Sequence, residues 1–535
     1  MVKRLNQFSV VALTVALCPA CFDLEGVPNR SERSTDSPGQ DADGSDGSDE
    51  DIAPDDLIPD DEPFVGSLQQ QAFDDGNVQL ADGSGLSLGI GTLAVSGIVP
   101  ETPQTSLPAG YIDAPYYGAV EPSVLNGDAW WQGWTLIDDR LDGNLPGANF
   151  HPLQEEIEEG LLSPSATHGC TAKNAAFKDA GTVSVFSAVF PVCVIDERIR
   201  TDTTLSNDHV YVLKGAINVG DGDAEGLANN EVGPVVIIEE GTQIYGASNE
   251  LSYLAITRGS RIAAIGSRDL PIIFGAIQLS ADGASIDPSS DPVNLTDRGL
   301  WAGLILSGND RTNLGDDTGE AISEAAEPEQ PRFYGGTMSQ DNSGSLSFLI
   351  IAETGLAVNF SEIQALTLET VGGNTSIEHV QVVSANDDCV QINGGTVRVE
   401  HFVCVGMDDD GIDIDEGYQG GLQFAIVTLG DEHGHNGIES DSNFATLPIS
   451  SPILANVLVT GGSGRDDTET RGVLHREGFA GQIYRSVFTD IRARNGFFQD
   501  GCLNINDELP NELRHFDSVF NCSGGTELGL SKVDE

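Results

Sequence analysis

A repeat of 22 residues constrains this chain more than any other feature. Shifted on itself by that spacing from Ser376, the sequence sets Glu378-His379 on Glu400-His401 and Asp387-Asp388 on Asp409-Asp410. Val390 and Ile392 fall on Ile412 and Ile414, and Gly395 on Gly417. Asn436-Gly437-Ile438-Glu439 takes up the position of Asp410-Gly411-Ile412-Asp413 again 26 residues later. Asp500-Gly501-Cys502-Leu503-Asn504-Ile505-Asn506 repeats the pattern of Asp388 to Asn393, and looser copies run through Val235–Thr242, Leu254–Gly259 and Pro271–Gly275. Short alternating Val/Ile runs with no helical period argue a β-helix, in which each coil pairs with the coils above and below. A leucine-rich repeat would need its Leu-x-x-Leu-x-Leu frame, which is absent. Glycines are expected at corners that need positive φ. At this period residues 205 to 525 hold on the order of a dozen coils.

Charge narrows the partners. The 535 residues carry 84 acids and 25 bases, a formal charge of −59. Such a surface does not suit nucleic acid or electrostatic adhesion to anionic lipid. Gly at 63 residues fits many tight turns. Beyond Cys18 and Cys21 six cysteines remain: Cys170, Cys193, Cys389, Cys404, Cys502 and Cys522. An even number in an exported chain implies disulfides. Six allow fifteen connectivities, and sequential pairing closes the shortest loops.

The N-terminus reads as an address. Lys3 and Arg4 precede an apolar run from Phe8 to Leu17 that is too short to span a bilayer. Leu17-Cys18-Pro19-Ala20-Cys21 resembles the bacterial lipobox and implies lipidation at Cys21, with an ordinary signal peptide as the alternative. Residues 22–75 are an acidic, Pro-containing tether whose composition cannot offset its ordering entropy. The division expected is therefore a leader over 1–21, the tether over 22–75, a β-rich capping region over 76–204, and the solenoid over 205–535. The location expected is an outer membrane or cell surface, with a lipid anchor.

Two resemblances follow. Tyr117-Gly118-Ala119-Val120, Trp131-Gln132-Gly133-Trp134-Thr135 and Arg298-Gly299-Leu300-Trp301-Ala302-Gly303 come first. Tyr334-Gly335-Gly336, Asp387-Asp388 with Gly394-Gly395-Thr396, and Asp409-Asp410-Gly411-Ile412-Asp413 with Gly417-Tyr418-Gln419-Gly420 follow in order. As an ordered set these segments resemble a family of secreted bacterial right-handed parallel β-helix lipoproteins. The resemblance implies that all-β fold and surface display, without a reaction. Locally, Asn386-Asp387-Asp388-Cys389-Val390-Gln391-Ile392-Asn393 resembles the Asp-Asp-Cys segment of polygalacturonases, where carboxylates share acid and base roles across a cleft. Cys389 and Cys404 match a disulfide of that family by spacing. The rest departs: Leu366-Thr367-Leu368 stands where that family has an acid, Asp408-Asp409-Asp410 where it has Gly-His-Gly, and its basic clamp has no counterpart.

The candidate site is the acidic ladder. Asp388 and Asp410 should stack about 4.8 Å apart, with Asp387, Asp409 and Asp413 beside them. Stacked carboxylates repel, and Ca2+ between them would turn that repulsion into attraction. The competing reading is turn aspartates that cap backbone amides. His433 and His435, with Glu439 or Asp441, offer a second donor set. His379 and His401 fall in register as corner residues. Trp130, Trp131 and Trp134 either stack on sugar rings or seal the open end of the first coil. The function expected is non-enzymatic binding of carbohydrate or matrix, with a lyase or hydrolase as the alternative.

Overall fold

A computed structural model describes residues 103, 105–121, 129–136, 151–167, 169–230, 232–248, 250–315, 319–324, 331–356, 363–430, 433–443, 446–461, 470–491, 501–505 and 513–522. The leader, Cys21 and the tether lie outside these residues. Among the described residues the only helices are Gln154–Glu158 and Cys170–Lys173; everything else regular is strand.

Nine parallel strands stack into one sheet, in the order Ala216–Val219, Tyr253–Ile256, Gly303–Ser307, Leu366–Glu369, Val390–Asn393, Ile412–Asp415, Asn436–Ser440, Arg471–His475 and Gly501–Ile505. Each strand belongs to one coil. The register aligns Leu366, Val390, Ile412, Ile438, Val473 and Leu503 in a single inward column. Beside it Leu368, Ile392 and Ile414 form another, and both are buried. Each such side chain contributes about 1.5–3 kcal/mol on burial. This is the parallel β-helix that the repeat predicts. The described residues make nine rungs rather than a dozen, because the coils lengthen. The step is 22 residues from Val390 to Ile412 but 35 from Ile438 to Val473. It is 62 from Leu304 to Leu366, where the chain makes an excursion carrying a small antiparallel pair, Glu320–Ile322 and Phe333–Gly335.

In the middle coils the two remaining faces come from one strand broken by a left-handed residue, and in the earlier and later coils from two separate strands. Arg398–Val405 bends at His401 and Ser376–Val383 at His379, with φ of 57° and 52°. Phe348, Phe424, Asn456, Arg485 and Asp517 occupy the same corner of other coils, at φ of 50–59°. Glycine does serve the corner after the nine-stranded sheet, as at Gly394 and Gly395. At the second corner large side chains accept the strain instead. The reason is that they hold something. Phe348, His379, His401 and Phe424 stack ring on ring at 4.4, 4.4 and 4.9 Å, close to the rise of one coil.

What they hold is the N-terminal segment, which lies as a strap along the outer side of the solenoid. The Thr105 amide donates to Asp517, and the Arg485 guanidinium donates to the carbonyls of Thr105 and Ala114. Asn456 donates to the carbonyls of Tyr116 and Gly118, and Gln423 exchanges hydrogen bonds with the Ile112 backbone. Arg398 lies 3.8 Å over the Tyr111 ring. Tyr117, Ala119, Val120 and Trp131 cover Val403, Val405, Ile426, Leu458 and Val487, which point away from the core. Trp134, Leu136, Leu153 and Ile157 do the same for Val212, Tyr245, Ile273 and Ile350. The face would otherwise be a long exposed apolar patch.

The tryptophans therefore do not seal the open end of the first coil. That end is closed by an antiparallel hairpin, Lys178–Val185 with Ala188–Ile195, and by Phe177 packed on Tyr211. The disulfide Cys170–Cys193 ties the short helix Cys170–Lys173 to the capping hairpin, and Cys389–Cys404 and Cys502–Cys522 complete the sequential pairing.

Candidate functional site

The turns that lead into Val390–Asn393 and Ile412–Asp415 of the nine-stranded sheet carry the acidic ladder. Val390 pairs with Ile412 and Ile412 with Ile438, so Asp388, Asp410 and Asn436 succeed one another along the axis. Asp388 Oδ1 accepts the Asp410 amide at 2.9 Å, and Asp410 Oδ1 accepts the Asn436 amide at 2.7 Å. Each carboxylate thus caps the backbone of the next coil, as turn aspartates do, but both are buried rather than solvated. Burial comes first among the causes that hold both carboxyls well above the usual range. The neighbouring carboxylates of Asp387, Asp413, Asp410 and Asp409 reinforce it for Asp388, and those of Glu439, Asp409 and Asp413 for Asp410.

The outward column of the sheet runs Thr367, Gln391, Asp413, Glu439, Leu474, Asn504. Glu439 and Asp441 meet Arg476, whose guanidinium grips both oxygens of Asp441 at 2.7 Å. Burial still raises the Asp441 carboxyl to about 6, against the opposing pull of Arg476. Asn436 donates to Glu439 at 2.8 Å.

The five aspartates expected to share a cation site are divided among three donor sets: Asp387, Asp388 and Asp409 stand together, Asp410 falls with Asp409 and His435, and Asp413 with Glu439 and Asp441. Asp387, Asp388 and Asp409 place ligand atoms within 4.8 Å of one another, as do Asp413, Glu439 and Asp441. The first set is all carboxylate oxygen, which fits a hard cation such as Ca2+. The second is already neutralised in part by Arg476. The two histidines do not converge on one centre. His433 Nδ1 lies 2.8 Å from Asp408 and its Nε2 3.2 Å from Arg298, while His435 Nδ1 lies 3.1 Å from Asp409 and its Nε2 3.1 Å from Arg471. Only His435 joins a three-donor set, with Asp409 and Asp410.

A family model described as a pectate-lyase like beta helix domain matches residues 197–502. The chain belongs to that family. No curated protein matches it. The pectate-lyase-like domain accounts for the solenoid and for an association with carbohydrate. The strap, residues 105–121 and 129–136, lies outside the match.

Within this pectate-lyase-like solenoid, sequence reasoning missed the basic groups. Arg471 and Arg476 reach the acidic face from the coil after Asn436–Ser440, across a spacing of 35 residues that the 22-residue register does not predict. It also missed the role of the tryptophans. Trp131 and Trp134 are strap residues buried against the solenoid, and Trp130 is half-buried, its ring 5.1 Å from His401 and 5.9 Å from Trp131. His379 and His401 are corner residues as the repeat implies, and burial lowers both to about 4, so they are neutral at pH 7.

Proposed function

We propose that this is a non-enzymatic, carbohydrate- or matrix-binding β-helix displayed outside the cytoplasm on a lipid anchor at Cys21. Its acidic face would be the ligand surface, with Ca2+ held by Asp387, Asp388 and Asp409. One observation carries binding over catalysis: the carboxylates are committed to the fold. Asp388 and Asp410 cap the amides of the next coils, and Asp441 is clamped by Arg476. A hydrolase needs one protonated and one ionised carboxyl free to face the substrate. Bound Ca2+ in a partly exposed carboxylate site keeps open positions that sugar hydroxyls or uronate oxygens fill.

The enzymatic reading has its own support. Burial pushes the Asp388 and Asp410 carboxyls up, the direction a general acid needs, and Arg476 and His435 stand on the same face.

A glycan array run with Ca2+ and with chelator, beside activity assays on pectin and alginate, separates the two. The binding reading expects Ca2+-dependent retention of polysaccharide without new reducing or unsaturated ends. It fails if the polymer is cleaved and Asp410→Asn abolishes the cleavage.

A further inference from the structure

We infer that the strap and the solenoid form a second ligand site, a pocket for one neutral pyranose unit of a glycan, independent of the acidic face. A cavity of about 370 Å3 opens between them, lined among others by Tyr116, Glu121, Trp130, Arg268, His401 and Phe424. That volume falls in the usual range for small-ligand pockets, about 300–1,000 Å3.

Its walls are fixed before any ligand arrives. The Trp130 indole donates to the Ala119 carbonyl at 2.9 Å, and Trp131 meets it edge-on, 84° between planes. Phe424 stacks on His401 on one side, at 4.9 Å, and on Tyr116 on the other, at 6.4 Å. The Arg268 guanidinium donates to the Ala129 carbonyl at 3.0 Å, which sets its orientation and uses one of its five donors. Pre-set walls reduce the entropy lost on binding.

Charge selects the occupant. An aromatic cage for a quaternary ammonium would not contain an arginine, because the guanidinium repels a cation. An anionic occupant meets Glu121, whose field, after burial, helps raise the Tyr116 phenol to about 12. A neutral molecule with flat C–H faces and a rim of hydroxyls satisfies both. His401 and Phe424 are already stacked on both sides and serve as backing, so Trp130 and Tyr116 are the rings left to take the sugar faces, and Arg268 and Glu121 supply a donor and an acceptor for hydroxyls. A pyranose has this form.

The site lies on the strap side, and the acidic face lies on the turn into the nine-stranded sheet. The two should therefore respond to different perturbations.

Tryptophan fluorescence of the purified full chain, titrated with neutral gluco-, galacto- and manno-oligosaccharides, galacturonate oligomers and choline, tests this. At least one neutral series should shift Trp130 emission saturably, in chelator as well as in Ca2+. By titration calorimetry, which does not depend on the Trp130 reporter, Trp130→Ala and Arg268→Met should each weaken binding tenfold or more, while Asp409→Asn leaves it unchanged. If Trp130→Ala loosens the strap, seen as a lowered melting temperature, Trp130→Phe with Tyr116→Ala decides instead. The inference is overturned if no neutral sugar binds, if choline or galacturonate binds in its place, or if chelator or Asp409→Asn abolishes the signal.

Discussion

The acidic ladder makes a prediction opposite to the usual one for buried carboxylates: replacing two of them should stabilise the protein. Asp388→Asn with Asp410→Asn keeps an Oδ1 acceptor for the Asp410 amide at 2.9 Å and the Asn436 amide at 2.7 Å, so the rungs stay capped. What is removed is ionisable. Both carboxyls sit well above their ordinary range because burial and neighbouring acids disfavour the charged form. The folded state therefore binds protons that the unfolded chain releases near pH 3.9. This stability is fully present below that pH and is lost as pH rises through the folded values. Two charges one rung apart, about 5 Å, repel by roughly 3 kcal/mol at an effective dielectric near 20. In chelator the double variant should thus exceed the parent by up to about 3 kcal/mol at pH 8 and match it at pH 4. Saturating Ca2+ should close the gap, adding about 2.7 kcal/mol to the parent at one hundred times its Kd. Urea unfolding followed by intrinsic fluorescence from pH 4 to 8, with unfolding rates where refolding is incomplete, measures this. A double variant less stable than the parent at pH 8 in chelator would refute the reasoning. The carboxylates would then be ionised and held by their hydrogen bonds.

Glu353 behaves as a single-site version of the same effect. Burial raises it to about 8 while its Oε2 accepts the Ala276 amide, so Glu353→Gln should match the parent near pH 5 and exceed it near pH 9 in thermal melts. Ile414→Asp places a charge in a fully buried column between Ile392 and Ser440 and should cost several kcal/mol in urea unfolding. Arg485→Ala removes donors to the Thr105 and Ala114 carbonyls, and limited proteolysis should then cut the strap before the solenoid. Cys21→Ser should abolish incorporation of labelled palmitate, and an unmodified N-terminus in the parent would remove the anchor.

The parts legible in the sequence are those that repeat in register. Val390 and Ile412, Asp388 and Asp410, and His379 and His401 announce stacked neighbours because a parallel ladder places like on like. The acidic face was visible for that reason. Arg471 and Arg476 were not, because their coil is longer and a longer coil carries no period. The strap was invisible for a different reason. Its contacts depend on backbone carbonyls of Thr105, Ala114, Tyr116 and Gly118 meeting Arg485 and Asn456, more than 300 residues away. Nothing in the local pattern marks such a partner. The aromatic corner was half legible: the histidines fall in register, but Phe348 and Phe424 join them only once the coil lengths are known.

The strap also changes what kind of polymer the solenoid is. Stacked coils touching only their neighbours behave as a one-dimensional chain, free to fray from either end without the other end responding. Here Thr105 is tied to Asp517 across 412 residues of sequence, and the same segment continues past His401 to Trp134 on Phe348. Opening the last coil therefore removes one anchor of the segment that also covers the middle ones, so terminal fraying is coupled to the body and unfolding gains cooperativity. Folding acquires an order as well. The strap is synthesised before any coil, yet its docking surface is complete only when the final coil has formed, so a segment made before the solenoid docks after it.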